Sequence, residues 1–117
     1  MTKHFLPFAI FIFLFAACSS DDIPSDIIPI NRMKFILFDV ISADQFASTK
    51  YPKDTAALRK NSPVLYQQVF AIYKISKDDF YKSFNYYESH PDKNKELFDS
   101  VSAIAGRARQ SLYMRKM

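Results

Sequence analysis

Residues 76–91 read SKDDFYKSFNYYESHP, and this stretch contains the start, the apolar face and the end of one helix. Ser76 followed three residues later by Asp79 has the spacing of a capping box, in which each side chain accepts a hydrogen bond from the backbone of the other. The apolar face recurs at three- and four-residue spacing: Phe80, Phe84 and Tyr87. Because Pro91 cannot continue a helix, the sequence predicts a helix over 77–89.

Upstream of this stretch the sequence predicts another helix and a polar connection. Pro29 suits the first turn of a helix, and we predict that this helix ends near Phe46. Its apolar positions recur every three or four residues: Ile30, Met33, Leu37, Val40 and Ile41, widened by Phe35 and Ile36. Residues 47–61 form the predicted connection, with a short helical turn allowed after Asp54, a residue suited to an N-cap.

Two more helices are expected on either side of the quoted stretch. Ser62 followed by Pro63 combines an N-cap with a first-turn proline and predicts a helix start. The apolar residues of 64–73 cover most of that helix, which indicates packing between neighbours or against a partner. Pro91 opens the last helix, whose stripe is Leu97, Phe98, Val101, Ile104, Ala108 and Leu112. The chain has one glycine and no long alternating run, so we predict an all-α bundle of three to four helices.

The N-terminal segment has the composition of a secretory signal. Residues 5–17 are continuously apolar and follow Lys3; the run suits a signal h-region and is shorter than the ~20 residues that cross a bilayer. The FAAC sequence of residues 15–18 resembles the lipobox of bacterial lipoproteins, with phenylalanine where that motif usually has leucine. We predict cleavage before Cys18 and lipid attachment to it. The alternatives are an uncleaved anchor helix and ordinary cleavage after Ser19.

The cysteine count supports lipid attachment. Cys18 is the only cysteine, so no intramolecular disulfide can form, and acylation would consume the exported thiol. The resemblance implies a diacylglycerol and an N-acyl chain such as palmitate, and several chains together hold a protein durably on a bilayer. The predicted organisation is a signal peptide over 1–17, the lipidated cysteine and a flexible tether over 18–28, and a helical domain over 29–117.

The lipid on Cys18 predicts an outer-membrane protein on the periplasmic or the surface face. Ser19, Ser20, Asp21 and Asp22 resemble the acidic export signal of Bacteroidota surface lipoproteins, and a solvated linker explains them equally. Loss of Lys3 with the signal lowers the formal net charge from +4 to +3. This mild charge, together with export, gives no reason to expect a nucleic-acid partner.

Two motifs, in this order, resemble one family. The first runs from Ile28 as Ile-Pro-Ile-x-x-Met-x-x-Ile-Leu-x-Asp, and the second is Ile75-Ser76-x-x-x-Phe80-x-x-Ser83-x-x-Tyr86-Tyr87-x-x-x-Pro91. Together they are similar to a small Bacteroidota lipoprotein family known as domain of unknown function 4296. The resemblance covers about residues 26–101, and Phe80-x-x-Ser83-x-x-Tyr86-Tyr87 is its most specific piece. The family has no established activity, so the resemblance implies only a cellular location and a fold.

Residues for catalysis are scarce. Outside the predicted signal the chain has one histidine, His90, and one cysteine, Cys18, so a Cys–His or multi-histidine metal site cannot be assembled. A single glycine excludes phosphate-binding and dinucleotide loops. His90 precedes Pro91, where we expect a cap or an exposed residue. We therefore predict no enzyme, no metal and no cofactor beyond the lipid.

Aromatic residues are the candidates for partner binding, because tyrosine combines an apolar ring with a polar tip and is enriched at interfaces. The candidates are Tyr66, Tyr73, Phe80, Tyr81, Phe84, Tyr86 and Tyr87; the core is the competing assignment for each. We predict a non-enzymatic accessory module that binds another envelope protein, with a chaperone-like holder of exported chains as the alternative. The arginines and lysine near the C-terminus indicate a solvated helix end or a contact with anionic lipid, and the first is favoured.

Overall fold

The computed structural model describes residues 23–117, and these residues fold into four helices without a β-strand. The helices are α1 (Ile30–Lys50), α2 (Thr55–Tyr73), α3 (Lys77–Glu88) and α4 (Pro91–Arg115). The all-α bundle predicted from the sequence is confirmed. The predicted signal peptide over 1–17, Cys18 and residues 19–22 lie outside the described residues.

Helix α1 makes the most extensive contacts of the four described helices. It packs against α2 and α4, while α3 contacts α4 and α2, so the helices form a closed ring. Each helix contributes buried apolar side chains. The largest set comes from α1 and consists of Met33, Ile36, Leu37, Val40 and Ala47. At ~1.5–3 kcal/mol for each large side chain fully buried, this shared core is the main force that holds the helices together.

Three of the four described helices start close to the signals identified in the sequence. In α3 the Ser76 side chain accepts from the Asp79 amide and the Asp79 carboxylate accepts from the Ser76 amide, which forms the predicted capping box. Pro91 occupies the first turn of α4, as predicted. Pro29 is the N-cap residue of α1, and this helix continues to Lys50, four residues beyond the predicted end near Phe46.

The predicted start of α2 at Ser62 and Pro63 is wrong. Asp54 caps the helix by accepting a hydrogen bond from the Ala57 amide at 2.9 Å, so the helix begins at Thr55 and contains Pro63. A proline inside a helix leaves the carbonyl four residues earlier without its donor. That residue, Arg59, is exposed like Pro63 itself, so its carbonyl can be hydrated.

The broad apolar face of α2 is only partly covered. Val69 and Phe70 belong to the core, whereas Val64 and Ile72 are exposed. The four-helix arrangement explains this division, because α2 contacts α1 and α3 but has no contact with α4. One side of α2 therefore faces away from the rest of the described chain.

A tight turn connects α2 to α3. Lys74 adopts a left-handed conformation with φ of 55° and ψ of 45°. The Ile75 amide bonds to the Phe70 carbonyl at 3.0 Å and the Lys74 amide to the Ala71 carbonyl at 3.3 Å, which is the pattern of a Schellman motif. Lysine stands here at a position that favours glycine.

Candidate functional site

A larger concavity of about 480 Å³ lies along α4 among charged side chains such as Asp92, Lys95 and Glu96. An apolar groove with a volume of about 310 Å³ lies between the helices. We call it the apolar groove. All four helices contribute to its lining: Leu37, Val40, Ile41 and Asp44 from α1, Tyr66 from α2, Phe80, Tyr81 and Phe84 from α3, and Phe98 from α4. Its volume is at the lower end of the range for small-molecule sites, so it suits one or two inserted side chains.

An aromatic cluster forms one wall of the apolar groove. Phe80 is 4 % exposed and anchors this wall. Its ring centroid lies 5.0 Å from that of Phe70, 5.3 Å from that of Tyr81 and 5.9 Å from that of Phe84. These separations are within the range at which aromatic rings attract each other. The groove wall is therefore supported from behind by the core.

One polar pair stands at the rim of the apolar groove. The Tyr66 hydroxyl donates a hydrogen bond to the exposed Asp44 carboxylate. Burial raises the pKa of Tyr66 above its usual range, and the adjacent Asp44 carboxylate raises it further. Tyr66 therefore stays protonated at physiological pH. The rim thus presents a carboxylate next to an otherwise apolar surface.

A smaller recess of about 120 Å³ adjoins the groove on the α2–α3 side. It shares the side chains of Tyr66 and Tyr81 with the groove and is completed by Pro63, Gln67, Phe70 and Lys77. The Lys77 ammonium lies 5.9 Å from the centroid of the Tyr81 ring, near the limit of a cation–π contact. The recess extends the aromatic surface and adds one positive charge.

Ser83 and Tyr87 have a different role, which is to hold the segment before α1. The Ile28 amide donates to the Ser83 hydroxyl at 2.9 Å, and the Tyr87 hydroxyl donates to the Ile28 carbonyl at 2.6 Å. Both side chains are fully buried. Burial raises the pKa of Tyr87 to about 12. We call this arrangement the Ile28 clamp.

The Ile28 clamp places part of the predicted tether in the folded domain. Ile27 and Ile28 were assigned to the tether of residues 18–28, yet both are buried in the core. Asp26 also forms an ion pair with Lys82 at 2.5 Å, and this lowers the pKa of the Asp26 carboxyl. The packed part of the chain therefore begins before Pro29, the predicted domain boundary.

Tyr73 lies at the contact between α1 and α2. Its hydroxyl donates to the Asp39 carboxylate at 2.5 Å, and its carbonyl accepts from the Arg32 guanidinium. Burial, followed by the bond to Asp39, raises the pKa of Tyr73 to about 12. Tyr73 therefore fastens two helices together and is separate from the groove lining.

Tyr86 and His90 form a stacked pair where α3 is followed by α4. Their ring centroids are 4.0 Å apart and nearly parallel. The His90 Nδ1 lies 2.7 Å from the Tyr86 carbonyl oxygen, which can only accept, so Nδ1 carries the proton in this bond. His90 is the N-cap residue of α4 and is exposed, as the sequence analysis expected.

The structure therefore divides the predicted partner-binding residues into two sets. Those that line the apolar groove are Tyr66, Phe80, Tyr81 and Phe84, and those that lie elsewhere are Tyr73, Tyr86 and Tyr87. Sequence reasoning missed Asp44 and Phe98. A signal for Asp44 existed, because Leu37, Ile41 and Asp44 follow helical spacing and put a carboxylate in line with an apolar stripe.

Within residues 23–117, no cluster of three or more histidine, cysteine or carboxylate side chains could hold a metal ion. None of the four helices is long and apolar enough to cross a membrane. The apolar groove has an apolar floor and one carboxylate, that of Asp44, at its rim.

These features define a class, the small all-α bundle with an aromatic-lined groove. The chain belongs to the family described as domain of unknown function 4296, whose model matches residues 24–110. This match confirms the resemblance to the domain family and begins just before the clamped Ile28. No curated protein and no solved structure matches the chain.

Proposed function

We propose that this protein is a lipid-anchored accessory module that binds another envelope protein through the apolar groove. The observation that carries the proposal is a concave aromatic surface that remains accessible after the four helices have packed, with Tyr81 and Phe98 38 % and 40 % exposed. Aromatic side chains around a central pocket are typical of the residues that contribute most to protein–protein binding. The anchor on Cys18 belongs to the proposal and lies outside the described residues.

The groove has a definite chemical preference. Its floor is apolar, and the carboxylate of Asp44 stands at its rim beside Tyr66. The complementary surface is an aliphatic or aromatic side chain with a lysine or arginine next to it. Electrostatic complementarity of this kind determines which partner binds more than how tightly it binds.

The chaperone-like alternative requires a different kind of surface. A holder of unfolded chains must accept many apolar segments, whereas a volume of about 310 Å³ accommodates one or two side chains. The size of the groove therefore favours a defined partner, and the two hypotheses differ in the number of proteins that contact the groove.

Photocrosslinking from the groove in intact cells tests the proposal. A photoreactive phenylalanine analogue replaces Tyr81, which lies in the groove wall, and a matched control replaces Gln68, an exposed residue of α2 outside the lining. We expect one dominant crosslinked protein from position 81 and none from position 68. The Phe98→Ala variant, which removes part of the lining, should reduce the yield at position 81.

Two results would contradict the proposal. Equal labelling from both positions would show that the contact does not depend on the groove. A broad set of exported proteins crosslinked from position 81 would support the chaperone-like holder instead. Circular dichroism of each variant verifies that the helices are intact before crosslinking is compared.

A further inference from the structure

The C-terminal end of α4 extends beyond the bundle. Ile104 is the last buried residue of this helix, and residues 106–117 are all exposed. Helix α4 continues to Arg115, so two to three turns stand without a packing neighbour among the described residues. We call residues 107–117 the cationic end.

The charge of the cationic end has one sign. It contains Arg107, Arg109, Arg115 and Lys116, and the last acidic residue of the chain is Asp99. Arginine and lysine near a helix C-terminus favour the helix by complementing its dipole. Two of these cations, Arg107 and Arg109, precede the last turn, so the dipole does not explain them.

Large apolar side chains are exposed in the same segment. Leu112 is 57 % exposed, Tyr113 69 % and Met114 67 %. Tyr113 and Met114 share a face with Gln110, since residues three and four apart are neighbours on a helix. Arg109 lies one turn before Tyr113 and Lys116 about one turn after it, so cations border this apolar strip at both ends.

We propose that the cationic end binds the anionic headgroup surface of a lipid bilayer. Tyr113 and Met114 would enter the boundary between headgroups and acyl chains, with Arg109 and Lys116 extending to the phosphates. Four cations in a segment that contains no acidic residue are complementary to such a surface. This surface is distinct from the apolar groove.

The test uses the absence of tryptophan from the chain. Tyr113→Trp places a single tryptophan in the cationic end, and Ile72→Trp is the matched control, because Ile72 is 74 % exposed on α2, which has no contact with α4. The full chain is reconstituted into phosphatidylcholine vesicles with or without phosphatidylglycerol. We expect a blue shift of emission, and quenching by brominated acyl chains, only for the Tyr113→Trp variant and only with phosphatidylglycerol.

Neutralisation of the charge completes the design. Each cation near an anionic surface contributes about a fivefold increase in binding. Arg107→Gln together with Arg109→Gln, introduced into the Tyr113→Trp variant, should therefore lower the binding constant of the cationic end for the bilayer by about 25-fold. Added salt should act in the same direction. Because these arginines are exposed, helix content measured by circular dichroism should stay unchanged.

Several results would overturn the proposal. One is an unshifted emission spectrum of the Tyr113→Trp variant with phosphatidylglycerol vesicles. This result would overturn the proposal even if soluble polyglutamate, used as a model of an acidic protein, shifted the spectrum. A second is an equal shift in both vesicle types, which would remove the role of charge. A third is an equal shift for the Ile72→Trp variant, which would show that the whole domain and not the cationic end meets the bilayer.

Discussion

The Ile28 clamp and the apolar groove both use side chains of the short helix α3, yet they differ in how their polar groups are satisfied. In the clamp, Ser83 and Tyr87 are fully buried and their hydroxyls bond to backbone groups of Ile28. In the groove, the hydroxyl of Tyr66 bonds to an exposed carboxylate, and Tyr81 keeps part of its ring in solvent. Buried and satisfied groups stabilise a fold, whereas partly exposed aromatics remain available to a partner.

The division follows from the geometry of α3. Along the apolar face of α3, Ser83 and Tyr87 lie toward one side and Tyr81 lies toward the other, with Phe84 nearer to Tyr81. Phe80 lies between the two sides and is almost completely buried. The Phe80, Ser83 and Tyr87 positions of the sequence motif in α3 therefore have structural roles. In the proposed function, the residues beside them would contact the partner.

The largest expected loss of stability comes from variants of the clamp. Tyr87→Phe leaves the buried Ile28 carbonyl without its donor, and Ser83→Ala leaves the Ile28 amide without its acceptor. An unsatisfied buried polar group costs ~1–3 kcal/mol, so each variant should lower the free energy of unfolding by about that amount. Urea unfolding followed by circular dichroism measures the change. Tyr86→Phe is the control, because its ring stack on His90 is retained, and it should change stability by less than ~0.5 kcal/mol. Equal losses for Tyr86→Phe and Tyr87→Phe would refute the clamp.

The second-largest expected effect is a loss of stability at alkaline pH, caused by the Tyr87 hydroxyl of the clamp. The folded-state pKa of Tyr87, about 12, exceeds the ordinary value of about 10. Below pH 10 the stabilising contribution of protonated Tyr87 is fully present. Between pH 10 and 12 the unfolded chain loses the Tyr87 proton before the folded protein does, so the free energy of unfolding falls. The slope for one such tyrosine is at most ~1.4 kcal/mol per pH unit. Unfolding titrations from pH 8 to 12 should show a shallower decline for Tyr87→Phe than for the unaltered protein, with the remaining decline due to Tyr73 among others. Identical slopes would contradict the assigned cause.

A smaller effect on stability is expected at the turn that connects α2 to α3. Lys74 has a left-handed backbone with φ of 55°, which costs a non-glycine residue roughly 1 kcal/mol. Lys74→Gly should therefore raise the free energy of unfolding by up to ~1 kcal/mol, less the entropy that glycine adds to the unfolded chain. Thermal unfolding measures it, with Lys60→Gly in the middle of α2 as a control that should be destabilising. A loss of stability in Lys74→Gly would show that the lysine side chain supports the turn.

The smallest effect on stability is expected in the groove. Tyr66→Phe removes the hydrogen bond to the exposed Asp44, and a bond of this kind contributes ~0.5–1.5 kcal/mol at most. Because the Asp44 carboxylate can be hydrated once it is released, we expect the lower end of that range by urea unfolding. A loss as large as that of Tyr87→Phe would mean that the Tyr66–Asp44 pair stabilises the fold as much as the clamp does. The two regions would then not differ in the way described.

Sequence reasoning found local features and missed tertiary ones. The capping box of Ser76 and Asp79 and the proline start of α4 could be predicted because each depends on a few adjacent residues. Pro63 misled because a first-turn proline and an internal exposed proline look alike until the cap at Asp54 is known. Ile28 could not be assigned to the core because its partners are 55 and 59 residues away.

The sequence predicted the part of the candidate site that depends on local spacing and residue type. Helical spacing identified Phe80 and Phe84, and tyrosine chemistry identified Tyr66 and Tyr81, all of which line the groove. The same chemistry also selected Tyr73 and Tyr87, whose hydroxyls are bonded within the fold. Only the packing of α1 against its neighbours shows which tyrosines remain available.

The most direct test of the account compares Tyr87→Phe with Tyr81→Ala in two measurements on the same preparations. One is the free energy of unfolding, and the other is the recovery of the partner crosslinked from a photoreactive phenylalanine analogue that replaces Phe98 in the groove lining. The account predicts that Tyr87→Phe loses ~1–3 kcal/mol of stability and keeps the partner while it is folded. It predicts that Tyr81→Ala, whose side chain is partly exposed, loses less stability and most of the partner. Partner loss in folded Tyr87→Phe together with full recovery in Tyr81→Ala would contradict it.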